Sequence, residues 1–259
     1  MAYTTIDNPE LFFQTLIWTG DGSGTKSFTL DGSENMQPDW VWSKARDSLG
    51  SITGNHFLYD SVRGAGVEKE LSSNSTGAEG ANANHQYGYI SSFNSNGFTT
   101  TAGSSNNDYF NKSSIKYVAW NWKAGGSASS NSDGSITTTV SVNQTAGFSI
   151  MKYAGNSTNS TIGHGLGASP EFIIFKEIDG GESWRVHSIY TPNNSSNTLS
   201  LNSTSAAFSQ SNWISAISSS TISIGTDSSF NTSGNNYIAY TFASKQGYSK
   251  FGKYTGNGS

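Results

Sequence analysis

Apolar and polar residues alternate with a period of two along many short stretches of the chain. In YVAWNWKA (117–124), Val118, Trp120 and Trp122 share one face of an extended strand, and the residues between them share the other. Such runs are rich in β-branched and aromatic residues and are bounded by Gly, Asn, Asp and Ser, whereas a helical period is almost absent. The pattern predicts many short β-strands.

These strands predict an all-β protein built from antiparallel sandwiches of jelly-roll type. Strands with turn residues between them are typical of such folds, and the helices that would connect parallel strands are not indicated. Pro38 and Pro170 precede two of the strongest runs, where a missing backbone N–H does least harm.

Four segments recur in the same order in the second half of the chain. PDWVWSK (38–44) corresponds to PEFIIFK (170–176), LSSNSTGA (71–78) to LSLNSTSA (199–206), YVAWNWKA (117–124) to YIAYTFAS (237–244), and WTGDGS (18–23) to YAGNST (153–158). The offsets are 132, 128, 120 and 135 residues. This period is far above that of solenoid repeats, so the pattern predicts two sandwich domains related by internal duplication.

The repeats divide the chain into five parts. We predict an N-terminal arm, two sandwich repeats separated by a linker that adds a strand, and a C-terminal strand that echoes the start of the repeat. The boundaries are 1–14, 15–126, 127–146, 147–246 and 247–259. The Gly/Ser-rich start of the linker is typical of flexible segments, and SITTTVSV within it predicts the added strand.

The N-terminal arm contains the one stretch that favours a helix. Asn8 is a good N-cap and Pro9 suits the first helical position. Leu11, Phe12 and Phe13 then form an apolar cluster outside the repeated unit. Two hypotheses stay open for Pro9 and this cluster: they pack on the first domain, or they dock to a partner protein.

The C-terminal segment KYTGNGS (253–259) resembles KYAGNST (152–158). Either they begin a further repeat of a longer gene product, or a final strand pairs at an open sheet edge of this chain or of a neighbour. GYSKFGKYTGNGS is typical of a strand followed by a turn, so we favour edge pairing.

Composition narrows the function classes. Only 12% of residues are charged and 13% are aromatic, which is the reverse of a disordered chain. The net charge of −4 does not indicate the positively charged surface that nucleic-acid binding needs. The absence of cysteine fits assembly inside a cell. No apolar run reaches the ~20 residues of a membrane span, and no signal peptide is indicated.

The sequence predicts no enzyme, no cofactor and no metal site. His164, in IGHGLGASP, has no counterpart in the first repeat, and without a paired carboxylate or nucleophile it is better interpreted as a turn residue. A glycosidase needs two carboxylates across a sugar, and Glu68, Glu70 and Glu177 are the candidates. Their loop-like surroundings favour solvated positions.

Aromatic residues are the other candidates for ligand contact. Trp40, Trp42, Trp120 and Trp122 fit a core role. Two tryptophans in polar surroundings are better candidates for exposed, ligand-facing rings, although a strand-packing role is favoured for them too. They are Trp184 in GGESWRVHS and Trp213 in SQSNWISA.

Nearly the whole chain resembles a known kind of repeated domain. The motifs are MAYTTIDNPELFFQ, MQPDWVWSKAR, LYDSVRGAG, LSSNSTGAEG, GFTTT, YVAWNWKAGG, DGSITTTVSVNQTAGFSI, YAGNST and IGHGLGASPEFIIFK. Together they resemble the repeated domain of tail-fibre and other virion appendage proteins of tailed phages of marine cyanobacteria and related bacteria. The second half departs from it, with HSIYTPN in place of the DSVRG segment.

This resemblance implies a structural protein of the virion, assembled in the host cytoplasm. An N-terminal arm that docks onto the particle, partners among other virion proteins and a homo-oligomer, with a trimer favoured, are the expectations. Distal domains often face the host, so a host-surface glycan is a further expected partner. The alternatives are a capsid-decorating head fibre and a glycan-binding or glycan-degrading module.

Overall fold

The computed structural model describes residues 4–50 and 54–258, and these form an almost wholly β protein. They contain nineteen strands and three short helical segments. Every pairing between the strands is antiparallel. The predicted all-β class and antiparallel sandwich architecture are therefore confirmed.

The first half of the chain forms a unit of two sheets. A 3-10 helix, Pro9–Leu11, precedes it. Its elements are β1 (Phe13–Thr19), β2 (Thr25–Thr29), β3 (Trp40–Ala45), β4 (Phe57–Asp60), β5 (Leu71–Ser72), α1 (Asn84–Tyr87), β6 (Tyr89–Asn94), β7 (Gly97–Thr101) and β8 (Lys116–Trp122). Inner sheet 1 has the order β1-β8-β3-β4-β5, and outer sheet 1 has the order β2-β7-β6.

The second half forms a corresponding unit. Its elements are β9 (Ser129–Asn131), β10 (Thr138–Asn143), β11 (Phe148–Ala154), β12 (Ser160–Gly163), β13 (Phe172–Glu177), β14 (Arg185–Ser188), β15 (Asn197–Ser200), β16 (Phe208–Ser209), β17 (Ile214–Ile217), β18 (Thr221–Ile224), α2 (Ser228–Asn231) and β19 (Asn236–Phe242). Inner sheet 2 has the order β16-β15-β14-β13-β19-β11-β10-β9, and outer sheet 2 has the order β12-β18-β17.

The two units share strand order and register. The order β1-β8-β3-β4-β5 is matched by β11-β19-β13-β14-β15, and β2-β7-β6 by β12-β18-β17. Phe13 pairs with Trp122 in the first unit, and Phe148 pairs with Phe242 at the same offsets in the second. The collinear sequence repeats therefore mark equivalent strands. The duplication itself stays a prediction.

Each unit closes with the same buried asparagine. The side-chain amide of Asn111 donates to the carbonyl oxygen of Ser23 at 3.0 Å, and that of Asn231 donates to the carbonyl oxygen of Thr158 at 2.7 Å. Both asparagines are fully buried. In the first unit the bond joins the loop after β1 to the loop before β8. In the second unit it joins the loop after β11 to the end of α2, just before β19.

A tyrosine hydroxyl completes each closure. Tyr117 donates to the carbonyl oxygen of Asp108 at 2.7 Å, and Tyr237 donates to that of Ser228 at 2.8 Å. Because a buried hydroxyl without a partner is costly, these bonds fix where each last strand begins.

The four sheets stack in the order outer sheet 1, inner sheet 1, inner sheet 2, outer sheet 2. Leu16, Val41 and Phe98 belong to the core between the first pair of sheets. Met151 and Ile222 belong to the core between the last pair. A third cluster, which we call the seam, lies between the two inner sheets and contains Trp40, Leu58, Leu71, Phe148, Ile150, Ile174, Trp184 and Tyr240.

The seam explains which face of β8 carries the bulky residues. Tyr117 and Ala119 point into the core of the first unit, whereas Trp122 packs against the seam. Trp120 pairs with Trp42, and the equivalent Tyr240 pairs with Ile174. Tyr240 is buried in the seam, but Trp120 stays half-exposed. Both faces of each inner sheet therefore have an apolar partner.

The linker contains more strand than its composition predicts. SITTTVSV supplies β10, which pairs with β11, as predicted. The preceding Gly/Ser-rich stretch also contains β9, so the expectation of a flexible segment is wrong for residues 129–131. An adjacent strand offers backbone partners that outweigh the low strand preference of serine.

The C-terminal segment does not form the predicted strand. Lys245 and Ser249 make an isolated β-bridge, and residues 250–258 have no strand. The ring of Tyr254 is 93% exposed, although the equivalent Tyr153 is buried in the core of the second unit. β1 pairs with β8 and β11 pairs with β19, whereas residues 250–256 form no strand in the described chain.

Candidate functional site

The seam opens into a cavity of about 450 Å³ at one end. Its walls come from structurally equivalent positions of the two units. Phe13 is equivalent to Phe148, Trp40 to Phe172, Trp42 to Ile174, and Trp122 to Phe242. Ala146 and the segment Tyr248–Phe251 complete the lining. We call it the seam cavity.

Trp40 is the centre of the aromatic packing. Its ring stacks on Tyr240 at 4.3 Å between centroids, and it lies 4.5 Å from Trp122 and 5.8 Å from Phe148. Offset and tilted ring pairs of this kind add to the stabilisation from burial. The rings therefore hold the two inner sheets in one relative position.

The C-terminal segment covers one side of the seam cavity. Phe251 stacks on Phe172 with centroids 5.4 Å apart and planes within 4°. Tyr248 meets Phe12 edge to face at 5.9 Å. The hydroxyl of Thr4 donates to the carbonyl oxygen of Gln246 at 2.6 Å, so the start of the described chain lies against the segment that leads into this cover.

The four predicted docking residues are split between two environments. Asn8 caps the 3-10 helix by accepting from the Glu10 N–H at 3.0 Å, which confirms the predicted cap. Pro9 and Leu11 are exposed. Phe12 and Phe13 instead turn toward the seam. The described part of the arm therefore packs on its own chain through Phe12 and Phe13 and leaves Pro9 and Leu11 exposed to solvent.

Trp184 and Trp213 are both buried, so the ligand-facing alternative is wrong and the packing interpretation holds. Trp184 is fully buried in the seam, where its Nε1–H donates to the carbonyl oxygens of Ser72 at 2.8 Å and Ser75 at 3.1 Å. Trp213 lies in the core of the second unit and meets Phe230 at 5.0 Å. Polar neighbours in sequence misled the prediction, because alternate residues of an extended chain point to opposite sides.

A buried ionic network crosses the seam from the DSVRG segment. Arg63 donates from Nε to Asp60 Oδ2 at 2.6 Å and from Nη1 to Glu79 Oε1 at 2.9 Å. Tyr240 of the second unit donates to the same Asp60 oxygen at 2.8 Å. Burial alone would lower the pKa of Arg63, but the charges of Asp60 and Glu79 outweigh it and raise that pKa. The segment missing from the second half thus serves as an inter-unit contact.

The candidate carboxylates do not form a catalytic pair. Glu68 is exposed, whereas Glu70 is fully buried and burial raises its pKa. Glu177 is also buried and accepts from Asn235 and from the Glu182 N–H. The expected solvated position therefore holds for Glu68 and is wrong for Glu70 and Glu177, which stabilise loops. None of the three lines the seam cavity.

His164 is a buried turn residue, as predicted. Its Nδ1 accepts from the Leu166 N–H at 3.2 Å, and burial lowers its pKa. Within residues 4–50 and 54–258, no group of three His, Asp or Glu side chains is placed to hold a metal ion. No helix in the same ranges is long and apolar enough to cross a membrane.

A second concave feature is a polar groove of about 810 Å³ on the second unit. Hydroxyl and amide side chains dominate its walls, among them Asn159, Gln210 and Asn212, and Trp213 contributes one edge. The groove offers many hydrogen-bonding groups and no carboxylate. It contrasts with the seam cavity, whose walls are mainly rings.

Comparison with known proteins identifies one family. A family model described as a domain of unknown function, DUF7483, matches residues 8–259. No curated protein matches the chain, and no solved structure does.

Proposed function

The chain belongs to the DUF7483 family, and we propose that it is a non-enzymatic structural component of a phage virion, a subunit of a tail fibre or related appendage. The seam carries this proposal. Stacked rings and a buried ionic network join two sandwich units into one block, with Trp40 and Tyr240 in direct contact across it. A rigid block of this kind suits a protein that holds other parts of a particle at fixed positions.

We infer further that the two units are copies of one duplicated module. Equal strand order and equal register support this inference. The paired closures by Asn111 and Asn231 support it as well, because they involve loops that the register alone does not fix. Tandem modules are a simple way to lengthen an appendage.

The exposed tip of the N-terminal arm is the proposed docking surface for another virion protein. Leu11 is 37% exposed, and Pro9 beside it is exposed too. Phe13 anchors the arm on Trp122 of the first unit, and Phe12 anchors it on Tyr248 of the C-terminal segment. Docking therefore depends on Leu11 and Pro9, while the two phenylalanines position them.

Virions purified from the phage that encodes this chain test both parts of the proposal. Leu11→Glu places a charge on the docking surface and is expected to reduce incorporation at least tenfold, measured by quantitative mass spectrometry of purified particles. Leu201→Glu is the matched control, because Leu201 is 36% exposed and lies far along the chain. Normal incorporation of the Leu11 variant would remove the docking role, and absence of the wild-type chain from particles would remove the structural role.

Position on the particle separates the leading proposal from its nearest alternative. Immunogold labelling at the tail supports an appendage subunit, whereas labelling on the head supports a capsid-decorating protein. The same particles show the oligomer, for which we propose a trimer.

The polar groove favours a second candidate function, the binding of a host-surface glycan. Its amide and hydroxyl groups are the hydrogen-bonding partners that sugars need. Gln210→Ala is expected to weaken binding of host polysaccharide in calorimetry, with Gln246→Ala as a control outside the groove. If the wild-type protein binds no host polysaccharide, this candidate function is lost.

A further inference from the structure

We propose that the seam cavity is a binding site for a small, flat aromatic anion. This inference goes beyond the structural role, since neither the proposed docking nor the joining of the two units requires a ligand there.

The size and walls of the cavity fit a small molecule. A volume of about 450 Å³ lies within the usual range of small-molecule sites, which runs from about 300 to 1,000 Å³. Phe13, Trp42, Trp122, Phe172 and Phe242 are only half-buried, so their faces are accessible from the mouth. Flat rings are the natural complement of such walls.

One wall residue holds an unused hydrogen-bond donor. Trp40 is 1% exposed, and its Nε1–H has no partner among the described residues. Most buried donors are satisfied, and an unsatisfied one costs about 1–3 kcal/mol. Because this nitrogen is shielded from solvent, a ligand acceptor reaches it only if the neighbouring rings move.

The rim supplies a positive charge. Lys250 lines the cavity and is exposed to solvent. No Asp or Glu lines the cavity, so nothing in its wall offsets the ammonium group. An aromatic ring that carries a carboxylate or sulfonate matches both the ring-lined walls and the lysine.

A sugar fits this cavity poorly. Apart from the indole groups of Trp40, Trp42 and Trp122, polar side chains in the wall are confined to the segment Tyr248–Lys250 at one side. A pyranose presents hydroxyl groups around its whole edge, and most of them would lose their hydrogen bonds here. The glycan of the second candidate function therefore belongs to the polar groove.

Anilinonaphthalene sulfonate is a suitable probe, because it joins flat rings to an anionic group. We expect saturable one-site binding to the folded full-length protein, followed by probe fluorescence and by quenching of tryptophan emission. Lys250→Met is expected to weaken binding at least fivefold while leaving the affinity for the neutral probe phenylnaphthylamine unchanged. Lys253→Met is the matched control outside the cavity.

Filling the cavity is the second test. Ala146 lines the cavity and is 3% exposed, so Ala146→Leu is expected to reduce binding of both probes at least tenfold. Ala206→Leu, at an exposed position, is the control. Lys250 lies at the surface, so its variant keeps the test valid if the Ala146 variant does not fold.

Three results would overturn the proposal. They are the absence of saturable binding, binding that the Ala146→Leu variant retains in full, and equal loss of both probes in the Lys250→Met variant. Preference for the neutral probe by the wild-type protein would overturn the assigned anionic class.

Discussion

His187 is buried where a protonated imidazole ring would be unfavourable. Its side chain is 3% exposed, and neither ring nitrogen has a hydrogen-bond partner among the described residues. Burial lowers its pKa to about 4. The histidine is therefore mainly neutral in the folded protein at neutral pH.

This burial predicts a loss of stability in acid. Between pH 6.5 and 4 the unfolded chain binds a proton at His187 and the folded chain does not, so the free energy of unfolding falls as the pH falls. The contribution reaches about 3 kcal/mol, from about 1.4 kcal/mol per pKa unit.

Urea unfolding at pH 7 and pH 4.5 measures the effect. His187→Gln is expected to lose less stability on acidification than the wild-type protein, and His85→Gln, at a half-exposed side chain, is expected to behave like wild type. Parallel losses in all three proteins would show that His187 is not the source.

Single residues also show the limit of sequence reasoning. Arg185 donates from Nη1 to Ser200 Oγ at 2.8 Å and lies over the ring of Phe208 on the second unit, while its neighbour Trp184 reaches into the seam. In sequence the two residues are neighbours in the polar stretch GGESWRVHS. The acceptors of Trp184 lie about a hundred residues away in the chain, and no local pattern reports such a distance.

At the scale of elements, β1 and β11 are each followed by a glycine at a close approach of two backbone segments. Gly20 and Gly155 follow β1 and β11. A Cβ at Gly20 would lie 2.1 Å from the carbonyl oxygen of Lys112, and one at Gly155 would lie 2.3 Å from that of Thr232. The two backbones approach each other in the same way in both units.

Alanine substitutions test this equivalence. Gly20→Ala and Gly155→Ala are each expected to lower the free energy of unfolding by about 1–3 kcal/mol, because the backbone must move to accept the methyl group. Gly252→Ala is the control, since a Cβ there meets nothing within 4 Å. A neutral result at only one of the two glycines would contradict the equivalence of the units.

Elements were predictable where alternation was strong. β3, β8, β13 and β19 all follow the patterns that predicted them. β9 was missed because its Ser-Ser-Asn sequence has no strand preference and its pairing with β10 decides its conformation. The buried asparagines Asn111 and Asn231 were missed as well. NDYFN (107–111) and DSSFN (227–231) are separated by the same number of residues as β8 and β19, and this fifth collinear match could have revealed them.

At the scale of the whole molecule, the seam couples the two units. Trp184 is the deepest link, since it belongs to the second unit and donates to two carbonyl oxygens of the first. The Asp60–Arg63 pair adds a buried charge network to the same interface. The protein is therefore expected to unfold as one cooperative block.

Differential scanning calorimetry tests this coupling. Trp184→Ala should cost about 3–5 kcal/mol and split the single transition into two, because it removes packing that belongs to both units. Trp213→Ala removes an equally buried tryptophan from one unit alone and should lower the midpoint without splitting the transition. One unsplit transition in the Trp184 variant would show that the seam does not depend on this residue.

The sequence by itself determined the all-β class, the strong strands, the capped N-terminal turn and the correspondence between the two halves. These features are local or repeated, so alternation, caps and offsets report them. Only the tertiary structure decided that the bulky faces of the inner sheets meet each other, that Trp184 and Glu70 are buried, and that a cavity opens between the units. The reason is physical: alternation tells which residues share a face of a strand, but the surface opposite that face comes from chain more than a hundred residues away.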